Sequence, residues 1–358
     1  MVPRLVVVGG RSGPSLIVRG FRESVWAVTA IVTTTDTGSS SGVIRDQFGL
    51  PAPGDIRTVL AAAANPQPGL EPLVDLFEFR FRPACDSSLR NMALGNLILA
   101  AFAETLGDFD RAVEAVARLF NCWAEVLPVP SSPTTLCARL ADGSIVRGEF
   151  NIRTPGKAPI AEVFLDPADA RVADAAIQAI HAADLIVLGP GGLYCSVLPG
   201  LLSGPICRAI QETRARTVYI CNTTTQPGQT DGFDVVGHVQ EVLRYLGGGH
   251  LDYVLLNTQV PADEMIAAYR EDNVHFMPVT PEEIRRVKAL GSTPVVGNFV
   301  EEGWQGKRVL HKLDTIRHDP HKVATILQGL VAESDARGPV AGDAQTMRQD
   351  PVRAESAG

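Results

Sequence analysis

The sequence predicts an α/β fold: a three-layer, doubly wound, mainly parallel sheet with a small antiparallel β insertion. Three observations predict it. Short, continuously apolar runs alternate with helical stretches along the chain. Strands covered on both faces read this way, whereas half-exposed strands alternate apolar and polar residues. Small, glycine-rich turns close several of those runs, as in open α/β sheets that bind ligands at their strand ends. Residues 125–165 break the rhythm with short β-type runs, and Asp142-Gly143 between two of them is a hairpin signal.

In order, buried parallel strands are expected over 5–8, 28–33, 185–188, 217–221 and 253–257. Helices are expected over 14–21, 55–64, 94–106, 109–119, 168–183, 235–246, 262–269 and 320–331. Pro14 suits a first helical turn, where a missing N–H costs little. Residues 1–333 read as a single domain, with 125–165 inserted after the helical block. Residues 334–358 are rich in Gly, Pro, Ala, Ser and charge and are expected to be a disordered tail.

At 358 residues the chain is long enough for a substantial core. The formal net charge of −8 disfavours sequence-independent binding to nucleic acid or to an anionic membrane, while leaving room for a local basic pocket. The six cysteines are scattered without C-x-x-C spacing, so neither a zinc site nor a disulfide framework is expected. The first apolar run is too short for a signal peptide, and the apolar helix near 92–102 is far short of a membrane span. These features predict a cytoplasmic protein.

Four loops carry the functional reading. Gly9-Gly10-Arg11-Ser12-Gly13 follows the first strand and opens a helix, which sets bare backbone N–H groups beside the positive end of a helix dipole. It fits neither G-x-G-x-x-G nor the lysine-bearing P-loop, so it reads either as a tight strand–helix turn or as a phosphate site. The wrong spacing also weakens a nicotinamide-dependent oxidoreductase reading. The stretch 33–42 is crowded with hydroxyls around Asp36, which could accept from a ribose or bind Mg²⁺. Gly189-Pro190-Gly191-Gly192 and then Asn222 to Gly232 close two later strands in the same manner. Asp55 reads equally as a helix N-cap and as a ligand residue; Arg57 could pair with a phosphate or with Asp36.

These motifs, in their order, resemble the YvcK-type gluconeogenesis factors of the CofD-like superfamily. The opening turn resembles G-G-G-T-G. Thr35-Asp36-Thr37-Gly38-Ser39-Ser40-Ser41-Gly42 resembles A-D-D-G-G-S-S-G, and Pro51 to Arg57 resembles P-x-P-G-D-I-R. Leu94-Gly95-Asn96-Leu97, Gly189-Pro190-Gly191-Gly192-Leu193-Tyr194, Cys221-Asn222 with Thr225-Gln226-Pro227-Gly228, and Arg317-His318-Asp319 complete the set. The resemblance spans about residues 5–330.

The resemblance implies a CofD-like, Rossmann-type fold, usually oligomeric. It also implies a cytoplasmic binding protein for UDP-N-acetylglucosamine linking carbon metabolism to cell-shape and envelope control, more a regulator than a catalyst. The expected ligand contacts are Gly9, Gly10, Ser12, Gly13, Asp36, Ser40, Asn96, Gly189, Gly191, Tyr194, Asn222, Gln226, Tyr269 and Arg317. Tyr269 would stack on a ring, and Arg317 would neutralise charge. The alternative is a Mg²⁺-dependent CofD-type transferase that moves a phospholactyl group from a guanylated donor to a deazaflavin precursor. In it Asp36 and Asp55 would hold the metal. Thr37 stands where the family has a second loop acid, which removes one expected ligand of that metal.

Overall fold

The computed structural model describes residues 2–10, 12–82, 89–302 and 316–337. Its centre is a seven-stranded, all-parallel sheet: β1 (Arg4–Gly9), β2 (Ala27–Thr33), β3 (Glu125–Val129), β7 (Leu185–Leu188), β8 (Arg216–Ile220), β9 (Tyr253–Asn257) and β10 (Thr293–Gly297). They stand in the order β10-β9-β8-β7-β1-β2-β3. A three-stranded antiparallel sheet, β5 (Ile145–Arg147), β4 (Thr135–Leu140) and β6 (Ile160–Asp166), lies apart from it.

The continuous apolar character of β1 has a direct cause. Leu5 and Val7 enter one core layer, with Ile17, Val18 and Phe21 of α1 (Ser12–Phe21) and Ile56 and Leu60 of α3 (Pro53–Ala63). Val6 and Val8 enter the other, with Leu198 and Leu201 of α9 (Leu198–Leu202) and Val239 of α11 (Val235–Tyr245). Leu136 and Leu165 of the small sheet belong to this second layer, so the insertion covers part of the main sheet. α5 (Leu94–Leu106), α6 (Phe109–Leu119) and α14 (Pro320–Arg337) complete the first layer.

Several expectations need correction. Residues 125–129 are the edge strand of the main sheet, paired in parallel with β2; only the chain from 135 onward forms the antiparallel insertion. The Asp142-Gly143 hairpin stands, with Gly143 at φ +84° and Asp142 Oδ1 accepting from the Ser144 amide. The helix expected over 168–183 covers only Asp174–His181 (α8). Ahead of it the chain is extended, because the Arg171 carbonyl accepts from the Ser131 amide, its amide donates to Ser132 Oγ, and its guanidinium pairs with Asp108 and Asp110. The hydroxyl loop turns helical at Ser39, giving α2 (Ser39–Phe48). Further short helices, α4 (Pro72–Glu78), α7 (Glu149–Arg153), α10 (Gly204–Glu212), α12 (Asp263–Arg270) and α13 (Pro281–Ala289), fill the connections. Only α12 among these was expected. α14 runs to Arg337, inside the expected tail; the rest of that tail lies outside the described residues.

Among the described residues no single helix is long and apolar enough to cross a membrane. The bent pair Leu193–Leu202 and Gly204–Glu212 is apolar because it packs in the core.

Candidate functional site

Sheet order reverses at β1. The chain leaves β1 for β2 and β3 on one side, then returns through β7 on the other. Leu5 pairs with Leu185 and Val8 with Leu188, so both strands end level and their turns emerge side by side. The carboxyl ends of strands at such a reversal leave a crevice between diverging loops.

The two glycine turns interlock there. The Gly10 amide donates to the Ser196 carbonyl at 3.0 Å. A Cβ on Gly13 would run into the Pro190 carbonyl and lie 2.9 Å from the Gly189 carbonyl carbon. Gly189 itself has φ +79°, a conformation that costs glycine nothing. Ser12 opens α1, and Arg11 lies outside the described residues. Beyond the second turn the chain makes one turn of π-helix, Leu193–Val197. Gln226 crosses from the β8 loop to this turn, its Oε1 accepting from the Leu193 amide at 3.1 Å.

A cleft of about 430 Å³ opens between these loops. Of the expected ligand residues, Asp36, Gly191, Asn222, Gln226 and Arg317 line it, as does Asp55. Gly9, Gly10, Gly13 and Gly189 form the turns at its base. Asp36 Oδ1 accepts from the Gly38 amide at 2.8 Å, which fixes the loop ahead of α2. Asp55 is the third residue of α3, not its N-cap; Ala52 holds that position. An acid in the first helical turn is favourable to the dipole. Its Oδ2 stands 3.0 Å from where a Gly10 Cβ would be, directly over the first glycine turn.

Four expected contacts stand elsewhere. Tyr194 is buried in the second core layer, its hydroxyl 2.9 Å from Glu241 and its ring edge-on to Phe233. Tyr269 is 1% exposed and packs with Val274, Val300 and Ile316, so it backs the cleft wall at Ile316 and offers no face for stacking. Asn96 and Ser40 are buried together, Nδ2 donating to Oγ at 2.6 Å. They clamp α5 to α2 behind the site.

Sequence reasoning missed Glu149. It arrives from the insertion, carried by Gly148 at φ +85°, and it lines the cleft. Its Oε1 lies 3.1 Å from Arg153. Burial, then the charges of Asp36 and Asp55, push its carboxyl up to about 8. The same turn packs on Thr37: a Cβ on Gly148 would meet the Thr37 hydroxyl at 2.9 Å. A carboxylate distant in sequence thus stands near the loop position where the resemblance left an acid missing. Arg19, Arg57, Arg80 and Arg317 balance these acids around the cleft, and Arg57 pairs with Glu78. Cys195 also lines the cleft, and burial raises its thiol well above the ordinary range, which disfavours the thiolate.

Among the described residues no three His, Cys, Asp or Glu side chains are arranged to hold a metal ion. Asp36 and Asp55 alone still suit Mg²⁺, which commonly takes one or two carboxylates and completes its shell with phosphate and water.

A mainly parallel, layered sheet with interlocked glycine turns and a cleft at its reversal defines an α/β protein of the Rossmann type. Residues 5–300 match the family model of 2-phospho-L-lactate transferase CofD. The chain is 38% identical over 331 residues to the gluconeogenesis factor of Bacillus subtilis, covering 92% of this chain and 99% of that one. It is 39% identical over 326 residues to the gluconeogenesis factor of Halalkalibacterium halodurans, covering 91% and 96%. A crystal structure of a UPF0052 family member from Bacillus halodurans superposes with a TM-score of 0.83 at 36% identity, covering 92% of this chain and 99% of that one. The chain belongs to the gluconeogenesis factor family, within the CofD-like group.

Proposed function

We propose that this protein is a cytoplasmic, homo-oligomeric regulator that binds a nucleotide sugar of the UDP-N-acetylglucosamine type and links carbon metabolism to cell-shape and envelope control. The observation that carries this reading is the interlocking of the two glycine turns at the β1/β7 reversal. A diphosphate there meets the backbone of Gly191 and Gly192, which line the cleft, and the guanidinium groups of Arg19 and Arg317. Asp36, Asn222 and Gln226 line the same cleft and supply groups for hydroxyls and amides of a sugar or base. The reading needs no nucleophile, and Cys195, which lines the cleft, is held as a buried thiol.

The acids favour a second reading, a Mg²⁺-dependent transferase of CofD type. A carboxylate over the first glycine turn repels a bare phosphate, so a cation between Asp55 and the ligand would relieve that clash. Mg²⁺ carried in with the diphosphate would be held by Asp36 and Asp55, and it would supply charge neutralisation for phosphoryl chemistry. Arg19 and Arg317 would orient the phosphates.

Thermal-shift titration separates the two, because a ligand that binds only the native state raises Tm. UDP-N-acetylglucosamine is expected to raise Tm with or without Mg²⁺, and Asp36→Ala is expected to lose most of that response. A rise with GDP and Mg²⁺ alone, and none with the UDP-sugar, would replace the regulator with the transferase.

A further inference from the structure

Among the described residues, two buried polar atoms on side chains that line the cleft have no hydrogen-bond partner. His318 is 5% exposed, lines the cleft, and its Nε2 is unpaired. Asn222 lines the same cleft, and its Oδ1 is buried and unpaired. Leaving a buried polar atom unsatisfied costs about 1–3 kcal/mol, so such atoms in a native protein call for a partner.

The surroundings fix which partner. His318 lies in a short bridge with Val300, and Glu301 and Asp319 donate backbone bonds across the same turn. Thr223 Oγ1 donates to the Ile316 carbonyl at 2.8 Å, tying this segment to the β8 loop. The imidazole stands beside the backbone of Cys221, the residue before Asn222. A neutral ring carries its proton on one nitrogen; with Nδ1–H toward that backbone, Nε2 keeps its lone pair and is an acceptor. Burial holds the ring neutral, its pKa lowered to about 4. An acceptor of this kind repels an ionised phosphate oxygen and takes an N–H or O–H donor.

We propose that His318 Nε2, with Asn222 Oδ1 on the same wall, accepts hydrogen bonds from a neutral donor of the bound nucleotide sugar, either a base N–H or a sugar hydroxyl. The inference rests on the nucleotide-sugar reading and assigns one subsite within it. If the donor is a base N–H, uracil and guanine carry it, whereas cytosine and adenine present a bare ring nitrogen and are refused. If it is a hydroxyl, the base is read indifferently and deoxygenation of the sugar is what costs affinity. Sites built to hydrogen-bond a ligand group reject the analogue that lacks it, because the buried partner is left unpaired.

The test is calorimetric titration of parent, His318→Phe and His318→Gln with UDP-N-acetylglucosamine, UDP, CDP and 2′-deoxy-UDP. The parent is expected to show at least one preference of about tenfold, for UDP over CDP, for UDP over 2′-deoxy-UDP, or for UDP-N-acetylglucosamine over UDP, the loss of about one good hydrogen bond. In His318→Phe that preference should collapse, and His318→Gln, whose amide oxygen still accepts, should keep part of it. Collapse against CDP identifies the base N–H; collapse against 2′-deoxy-UDP identifies the ribose hydroxyl. Collapse of UDP-N-acetylglucosamine affinity to that of UDP identifies the amino sugar. A His318→Phe protein that binds all four as the parent does, or loses affinity equally for all, overturns the assignment and leaves the nucleotide-sugar reading standing. A parent that binds none of them overturns both. Should His318→Phe fail to fold, ¹⁵N-histidine spectra of the parent give the same decision: the Nε2 resonance must shift toward that of a hydrogen-bonded acceptor on ligand addition, and an unmoved resonance overturns the assignment.

Discussion

At Gly13 an added Cβ would lie 2.9 Å from the carbonyl carbon of Gly189, so alanine there forces the two glycine turns apart. Overpacking of this kind costs about 1–3 kcal/mol. Gly13→Ala is therefore expected to lower the urea midpoint by that margin and to weaken nucleotide binding; a variant with the parent's midpoint and affinity would show that the turns do not interlock. Glu149 behaves in the opposite sense. Its carboxyl is raised from 4.5 to about 8, so the fold disfavours the charged form and loses stability as pH rises through that window. Glu149→Gln removes the penalty. Its Tm at pH 8 is expected to exceed the parent's, with little difference at pH 5, and equal Tm values at both would place Glu149 in solvent. Motif reading could not find this residue, because nothing near Gly148-Glu149 in sequence marks it; only the fold sets it near Asp36 and Asp55.

At the scale of elements, the site depends on how α14 meets α1. A Cβ on Gly20 would clash with the Pro320 carbonyl and lie 2.9 Å from its carbon, so glycine lets α14 begin directly against α1. That contact carries Arg317 and His318 to the cleft. Gly20→Ala is expected to destabilise the protein by about 1–3 kcal/mol and to weaken ligand binding, although residue 20 does not line the cleft. Chemical denaturation and calorimetry on one variant check both effects. The Asn96–Ser40 clamp has a similar reach. Replacing Ser40 with alanine leaves the Asn96 amide without its acceptor, at a cost of about 1–3 kcal/mol in denaturant melts. Most central elements were legible in sequence because strands covered on both faces are apolar throughout. The edges were not. β3 and β10 each contain a proline and sit where one side needs no ladder bond, so they lack that signature.

For the whole molecule, three buried groups set a pH profile. His238 and His318 are lowered from 6.5 to about 4, and Glu149 is raised to about 8. Between about pH 4.5 and 6.5 the unfolded chain holds two histidine protons that the fold excludes, while the fold holds one Glu149 proton that the unfolded chain has released. The histidines prevail, and stability rises with pH. From about 6.5 to 8, of these three groups only Glu149 still differs, and its contribution falls. A Tm maximum near pH 6.5 is expected in a buffer series, with Glu149→Gln flattening the alkaline limb. A parent whose Tm climbs steadily from pH 6.5 to 8 would contradict the burial of Glu149.

The sequence by itself determined the layered α/β fold and the local chemistry of each loop, because buried strands and glycine corners are dictated by neighbours a few residues away. Ser40, Asn96, Tyr194 and Tyr269 look like binding groups in one dimension, yet Ser40 and Asn96 pair with each other, Tyr194 with Glu241 and Phe233, and Tyr269 packs with Val274, Val300 and Ile316. Which residues share the cleft was decided by tertiary structure alone. The sheet reverses at β1 and brings Gly9, Gly10 and Gly13 against 189–196, the insertion delivers Glu149, and the segment leading into α14 delivers Arg317 and His318. Convergence of that kind depends on packing between segments hundreds of residues apart, which leaves no local pattern to read.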